Sequence, residues 1–451
     1  MAQLKVSAQL WTSQTVFIMA AIGSAVGLGN LWKFPYITGE NGGGAFVLVY
    51  LLCIVLIGLP ILIAEISLGR AGQANPPQAM ANIVKTTGAN KLWVFLGFNA
   101  VLGGLLILSF YAVIAGWGVA YFIESISGAF IDMNAAQAQS HFDQFVSNPL
   151  AVLFWHTIVM LLTVLIVVKG VRSGIERAIN IMMPGLLIIL LILLGYATTT
   201  GAFSQSFEFL FKPNFSALTS ESVLIALGHA FFTLSLGFGT MMVYGSYLPK
   251  NYSIVKASMW IVIADTVIAL IAGLVIFSIV FGNGLEAGSG PGLLFETLPI
   301  AFGQMSGGWF FGTLFFGMVV FAALSSSISM IEPAISWLEQ NWGYTRKKAA
   351  WLLGGFAWLL GLGSVFSFNL WKGQTFLEDK TFFESIDFLT SNIMLPLGGM
   401  FTALFVGWVW TLQQRNNETG MPPKWSGVYS VIVKWVAPIL VFIVFFESVT
   451  G

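Results

Sequence analysis

The chain has 451 residues, of which 57% are hydrophobic and only 8% charged, and its formal net charge is zero. A soluble domain carries about 25% charged residues, so the composition excludes that class and leaves an integral membrane protein. A single cysteine, Cys53, excludes an internal disulfide and a thiolate metal cluster; the three histidines show no metal-ligand spacing, and no basic tail offers itself to nucleic acid.

The N-terminus carries Lys5 ahead of an apolar run that continues past Phe34. It lacks the short apolar core and cleavage site of a signal peptide and reads as a retained anchor. A bilayer core takes roughly 20 apolar residues per helix. On that measure eleven transmembrane helices are predicted, at 14–38, 44–70, 92–125, 150–168, 172–198, 221–249, 254–282, 308–338, 348–369, 382–412 and 427–449.

The first span is interrupted by Gly23, Gly27, Gly29, Asn30 and Pro35. Hydrocarbon gives a freed N–H or C=O no partner, so such a break is tolerated only against protein or a watery cavity. It points to a ligand or ion site near the bilayer midplane. The fifth span opens with Gly174 and Pro184 separated by nine residues, a pattern that fits a hinge or a static kink. In the sixth, Phe231-Phe-Thr-Leu-Ser-Leu-Gly-Phe-Gly-Thr240 again breaks an apolar run. The seventh holds Asp265 within Ile-Val-Ile-Ala-Asp-Thr-Val-Ile, where an ionised carboxylate costs several kcal/mol unless paired or solvated. The eighth carries Ala322-Ala-Leu-Ser-Ser-Ser327. Between spans, 127–149 and 199–220 are polar or mixed. Residues 283–307 read as a glycine-rich turn and a short amphipathic helix, which suits a lid or a plain connection.

Placing the N-terminus in the cytoplasm puts fifteen Lys and Arg on the inner side. Only Lys33, Lys212, Lys372 and Lys380 fall outside, and eleven spans leave the C-terminus outside. Broken spans one and six occupy matching positions if 14–198 and 221–412 are two five-helix repeats, the second inverted, with 427–449 as an additional eleventh helix. Such a matched pair points to a transporter site; glycines in one such span alone would suit close helix packing. The whole chain, 1–451, is then a single transporter domain.

Gly23 through Pro35, the following Glu40-Asn-Gly-Gly-Gly-Ala-Phe46, the broken sixth span and the eighth-span serines together resemble the neurotransmitter:sodium symporter family. Eleven spans resemble its bacterial amino-acid transporter branch. The resemblance implies an all-α multipass protein of the LeuT-type fold, a 5+5 inverted repeat with helices 1 and 6 broken, in the cell membrane. It implies two sodium sites. The first draws on Ala25, Asn30, Thr233 and Asp265; the second draws on Gly23, Val26, Ala322, Ser325 and Ser326. Related animal transporters have asparagine where Asp265 stands and use chloride beside the sodium, so chloride-independent transport is expected. Proton uptake by Asp265 on the empty return would give proton counter-transport. His229 and Tyr50 are expected near this region.

Monoamine carriers of the family have aspartate where Gly27 stands. Glycine leaves room for a carboxylate near backbone N–H groups, so the expected substrate is a zwitterionic amino acid. The substrate-site residues implied are Ala25, Gly27, Gly29, Ile107, Tyr111, Phe232, Thr233, Ser235, Phe238, Ser326 and Met330. None is charged, which favours neutral hydrophobic side chains, aliphatic or aromatic. Gly103 and Gly104 are expected to add room for a ring. Phe232 becomes a cover, and Lys33 with Asp387 an outer gate, with lysine where relatives have arginine. At the inner gate, Ala8 and Gln340 replace the family's arginine and aspartate. Trp11 and Tyr247 remain as plugs there, and Lys5 with Glu339 is a substitute pair. The expected activity is sodium-driven import of amino acids by alternating access. A proton-coupled carrier or a non-transporting sensor of the same fold stands as the alternative, and no catalytic constellation supports an enzyme.

Overall fold

The computed structural model describes residues 10–287, 290–377 and 379–450, and among them every regular element is helical. That follows from the solvent: in lipid a helix satisfies its own backbone, and an open sheet edge does not. Several starts are written locally. Ser13, Asn75, Asn134, Thr219, Ser253 and Thr345 each cap a helix by accepting a backbone N–H.

The first span is two helices, α1 (Gln14–Ala25) and α2 (Gly29–Glu40), bent by 51° at the break. Then come α3 (Gly44–Gly72), α4 (Pro76–Thr87), α5 (Lys91–Ser127), α6 (Ala135–Ser147), α7 (Pro149–Val167), α8 (Val171–Ala197) and α9 (Phe203–Phe211). The sixth span is likewise two pieces, α10 (Ser220–Thr233) and α11 (Thr240–Ser246), separated by residues 234–239. The chain continues through α12 (Ile254–Gly282), α13 (Thr297–Gln304), α14 (Gly308–Trp342), α15 (Arg346–Ser367), α16 (Phe382–Val409), α17 (Leu412–Thr419) and α18 (Pro423–Glu447). Among the described residues nine helices are long and apolar enough to cross a membrane, and the bent α1–α2 pair makes ten. Counting α10 with α11 as one span brings the number to the eleven predicted.

The long helices α5 and α14 lie side by side at the centre. Where α3 meets α11 the backbones touch: a Cβ on Gly69 would fall 1.8 Å from the Met242 carbonyl, and one on Gly245 would fall 2.4 Å from that of Ile66. Small residues let membrane helices approach this closely.

Two stretches expected only as polar or mixed connections are partly helical. In 127–149, Asn134 and Gln137 form a reciprocal capping box for α6, and His141 Nε2 lies 2.9 Å from Glu124 Oε2, pinning α6 to the end of α5. In 199–220, α9 packs on α12. The short helix foreseen within 283–307 is α13. Its residues 297–302 are all buried, so it is wedged into the bundle and does not float with one polar face. A Cβ on Gly39 would lie 2.2 Å from the Ala287 carbonyl, which places the start of this connection against α2. Residues 288 and 289 lie outside the described residues.

Candidate functional site

The two breaks face one another. In an unbroken first span, the Gly27 and Leu28 N–H groups would donate to the Gly23 and Ser24 carbonyls. Instead Gly27 N–H donates to Asn30 Oδ1 at 3.1 Å and Leu28 N–H to the Tyr111 hydroxyl at 3.3 Å. Val26 is extended at ψ 102°, and its own N–H reaches Ile22 O. Several carbonyls between 23 and 26 therefore lose their helical partner deep in the protein. Opposite, Ser235, Gly237 and Gly239 have φ of 53°, 82° and 75°, the left-handed conformations that end α10 and restart α11. The Gly237 N–H donates to the buried Glu65 carboxylate at 2.7 Å. The sequence reading did not single out Glu65. Its signal was an acid inside Leu-Ile-Ala-Glu-Ile-Ser, the same criterion that picked out Asp265.

Asn30, Thr233 and Asp265 converge at 1% exposure or less. Asn30 Nδ2 donates to Asp265 Oδ1 at 2.8 Å and to the Asp265 carbonyl at 3.2 Å, and Thr233 Oγ1 donates to both carboxylate oxygens at 3.1 Å. Ala25, the last residue of α1, is buried beside the break. This cluster offers a carboxylate, an amide, a hydroxyl and carbonyls, all oxygen ligands of the kind a hard cation takes. His229 is stacked on Phe34 at 6.0 Å and lies 5.4 Å from Tyr50, with neither ring nitrogen hydrogen-bonded in the described structure. Its contacts are those of a packed aromatic.

The second set lies where α14 passes α1. A Cβ on Gly23 would sit 3.4 Å from Ser325 Cβ, and Ser325 Oγ donates to Ala322 O at 3.0 Å. Ser326 Oγ donates to Ser24 O at 3.3 Å, and Ser235 Oγ donates to the same carbonyl at 2.9 Å. Ser24 and Ser329, joined at 2.9 Å, complete a buried hydroxyl cluster that the sequence did not reveal.

Between the two sets lies the space around Gly27. A Cβ there would be 2.6 Å from Ser326 Oγ and 3.0 Å from the Tyr111 hydroxyl. A Cβ on Gly29 would meet the Phe232 ring at 3.2 Å. Phe232 and Phe238 stand edge to face at 6.4 Å, and Ile107 and Met330 are buried. Gly104 departs from its expected use. Its missing Cβ would lie 2.8 Å from Met330 O and 3.1 Å from Phe238 O, so this glycine admits neighbouring backbone and leaves no space for a ring. Gly103 is less crowded, with Met394 Cε at 3.7 Å.

The two ends differ. Lys33 Nζ lies 4.8 Å over the Phe232 ring, Asp387 accepts from Ser391 Oγ at 2.8 Å, and among the described residues no ion pair within 4.0 Å joins Lys33 to Asp387. At the other end Trp11 is 3% exposed; its indole N–H donates to Tyr244 O at 3.0 Å and its backbone N–H to Tyr247 O at 3.2 Å. The Tyr247 hydroxyl donates to Glu332 at 2.9 Å. Arg346 holds Glu332 at 3.0 and 2.5 Å, Glu339 at 3.3 Å and Val167 O at 2.6 Å. Glu339 is thus engaged by Arg346, while Lys5 and Ala8 lie outside the described residues. Gln340 accepts from the Asn75 backbone and side chain, each at 2.8 Å. Neither Glu332 nor Arg346 is singled out by the sequence; an acid beside Pro333 inside an apolar span was the available signal. Tyr247→Phe removes one hydrogen bond to a charged group, worth about 1.5 kcal/mol or more. Amide exchange over residues 10–25 and 240–247 is expected to quicken roughly tenfold, and unchanged exchange would show that this bond does not hold the end closed.

Gly174 sits in a wide turn at the start of α8, Val171–Glu176. A Cβ there would fall 2.1 Å from Ile166 O, so static packing alone requires the glycine. Two flanking residues hold the chain ahead of α1: Glu176 accepts from Thr12 N and Oγ1 at 3.1 and 3.0 Å, and Arg172 Nε donates to Leu10 O at 3.1 Å. Pro184 stands inside α8.

Comparison with known proteins gives one answer. The model of the sodium:neurotransmitter symporter family matches residues 8–141 and 137–451. An uncharacterized sodium-dependent transporter of Bacillus subtilis (strain 168), YhdH, is 37% identical over 447 residues, 97% of each chain. Another, of Haemophilus influenzae, is 33% identical over 451 residues, 98% of each. Among solved structures, that of MhsT in complex with L-phenylalanine is 40% identical, covers 98% of this chain and 99% of its own, and superposes with a TM-score of 0.90.

Proposed function

The chain belongs to the sodium:neurotransmitter symporter family and is a sodium-dependent membrane transporter, and we propose that it imports neutral hydrophobic L-amino acids, aliphatic or aromatic, with two sodium ions and without chloride. The observation that carries this reading is the buried Asn30–Thr233–Asp265 cluster between the two broken helices. Sodium entering there meets a full negative charge supplied by the protein, which leaves an external anion nothing to balance. Displacing the Asn30 and Thr233 donors from the carboxylate frees oxygens for the ion. Gly23, Val26, Ala322, Ser325 and Ser326 hold the second.

The substrate carboxylate sits over Gly27, against the Tyr111 hydroxyl and the first sodium. Its side chain lies among Ile107, Phe232, Ser235, Phe238, Ser326 and Met330, with Ala25, Gly29 and Thr233 bordering the main-chain end. No charged side chain is in that set, so an acidic or basic substrate would be desolvated without compensation. The likeness to MhsT, solved in complex with L-phenylalanine, supports the same class. Residues 14–198 and 221–412 act as the two inverted repeats and rock about the site, with 427–449 outside them. Lys33 and Asp387 close above Phe232; Trp11 and Tyr247 close below. On the empty return Asp265 takes a proton, giving proton counter-transport. The protein lies in the cell membrane with its N-terminus cytoplasmic and its C-terminus outside.

Uptake into proteoliposomes tests this. An inward sodium gradient in chloride-free buffer is expected to concentrate labelled phenylalanine and leucine, and to leave aspartate and lysine outside. Uptake driven by a proton gradient alone would make it a proton-coupled carrier, and saturable binding without uptake under either gradient would make it a sensor.

A further inference from the structure

On the lipid-facing side, between the first turns of α5 and the middle of α16, lies a groove of about 550 Å³ bounded by Leu92, Phe95, Leu96, Leu397 and Phe401, with Asn90 at its mouth. Leu92 and Phe95 are 66% and 67% exposed, a lining that water would not leave bare and that a bilayer covers. Trp93 also borders the groove, edge-on to Phe401 and Phe405 at 6.2 and 5.2 Å, in the manner of an aromatic anchor near the headgroup level.

The mouth is basic. Exposed Lys91 stands between Asn90 and Leu92, both of which border the groove, and exposed Lys85 ends the preceding helix. From residue 66 to residue 123 the sequence contains Arg70, Lys85 and Lys91 and no Asp or Glu. Among the described residues neither Lys85 nor Lys91 has a carboxylate within 4.0 Å. The charge bias of the whole chain puts this end of α5 at the cytoplasmic leaflet, whose anionic lipids attract such lysines.

We propose that this groove binds one anionic phospholipid, its acyl chain along Leu96, Leu397 and Phe401 and its phosphate against Lys91 and the Asn90 amide. The back wall gives the site a route to the transport machinery. Asn99 Nδ2 donates to Met394 O at 3.1 Å, and a Cβ on Gly398 would lie 3.1 Å from that amide and 3.4 Å from Gly237 Cα. One layer of residues therefore separates the lipid from the break between α10 and α11.

The test is native mass spectrometry of delipidated, monodisperse protein titrated with phosphatidylglycerol or phosphatidylcholine of the same chain length. One lysine at a membrane surface is worth about 1 kcal/mol, so phosphatidylglycerol is expected to bind at one copy, about fivefold tighter than phosphatidylcholine. Lys91→Gln should bring the two lipids level. Leu397→Trp, which fills the groove, should lose both. Leu92→Asp, at an exposed lip where folding is undisturbed, should lose phosphatidylglycerol alone. Equal affinity of the wild type for the two lipids would overturn the proposal, as would binding unchanged by Leu397→Trp and Leu92→Asp together. A dimer that Leu397→Trp dissolves would assign the groove to a second copy of the chain. None of these outcomes bears on the transport reading, which the uptake assay decides separately.

Discussion

Asp265→Asn is expected to abolish sodium-driven uptake in chloride-free medium and to restore part of it when chloride is added. The carboxylate is wholly buried and accepts hydrogen bonds from both Asn30 and Thr233. With sodium bound beside it, the pair is a buried ion pair. Removing one partner of such a pair costs about 3–5 kcal/mol, because the other charge stays desolvated and uncompensated. That loss corresponds to roughly a hundredfold or more in the sodium concentration needed for half-maximal substrate binding. The amide keeps the shape and one oxygen ligand, so the fold survives and only the charge balance changes. Substrate binding titrated with sodium, with and without chloride, measures it. Chloride-free uptake that persists in Asp265→Asn, or a wild type that requires chloride, would end the assignment of Asp265 as the fixed counter-charge.

Gly27→Ala carries the second large effect. Its Cβ would enter at 2.6 Å from Ser326 Oγ, closer than real contacts allow, and at a tight 3.0 Å from the Tyr111 hydroxyl. Both hydroxyls are committed, one to Ser24 O and the other to the Leu28 N–H, so neither turns aside without losing a buried hydrogen bond. Overpacking of this kind costs about 1–3 kcal/mol of stability. The effect on substrate is larger, since the methyl occupies the position proposed for its carboxylate. Affinity is expected to fall at least a hundredfold while sodium still raises the melting temperature. Gly195→Ala, with nothing within 4 Å of the added methyl, is the matched control and should leave both unchanged. Wild-type substrate affinity in Gly27→Ala would move the carboxylate elsewhere.

The breaks in the first and sixth spans were readable because the rule behind them is local. Glycines, hydroxyls and an asparagine crowded into an apolar run weaken the helix ladder, and a break left in hydrocarbon would find no partner. Asp265 was readable for the same reason: an acid amid Ile, Val and Ala declares a partner even before one is found. The identical argument applies to Glu65 and Glu332, each an acid set in an apolar run. Gly104 is different. A glycine on a helix reads as space, yet whether the space is left open or filled by the Met330 and Phe238 backbones depends on helices far away in the chain.

The sequence by itself determined that this protein spans a membrane, where its spanning helices run and where two of them fail. Hydrophobic length and backbone satisfaction act over a few turns of chain. Only the tertiary structure decided which polar groups meet: Glu65 with Gly237, Glu332 with Tyr247 and Arg346, Glu176 with Thr12, Lys33 with the face of Phe232. Those pairings join residues up to 199 positions apart (Lys33 and Phe232). A buried charge or N–H takes whichever partner the packing of helices brings within 3 Å, and no local pattern encodes that choice.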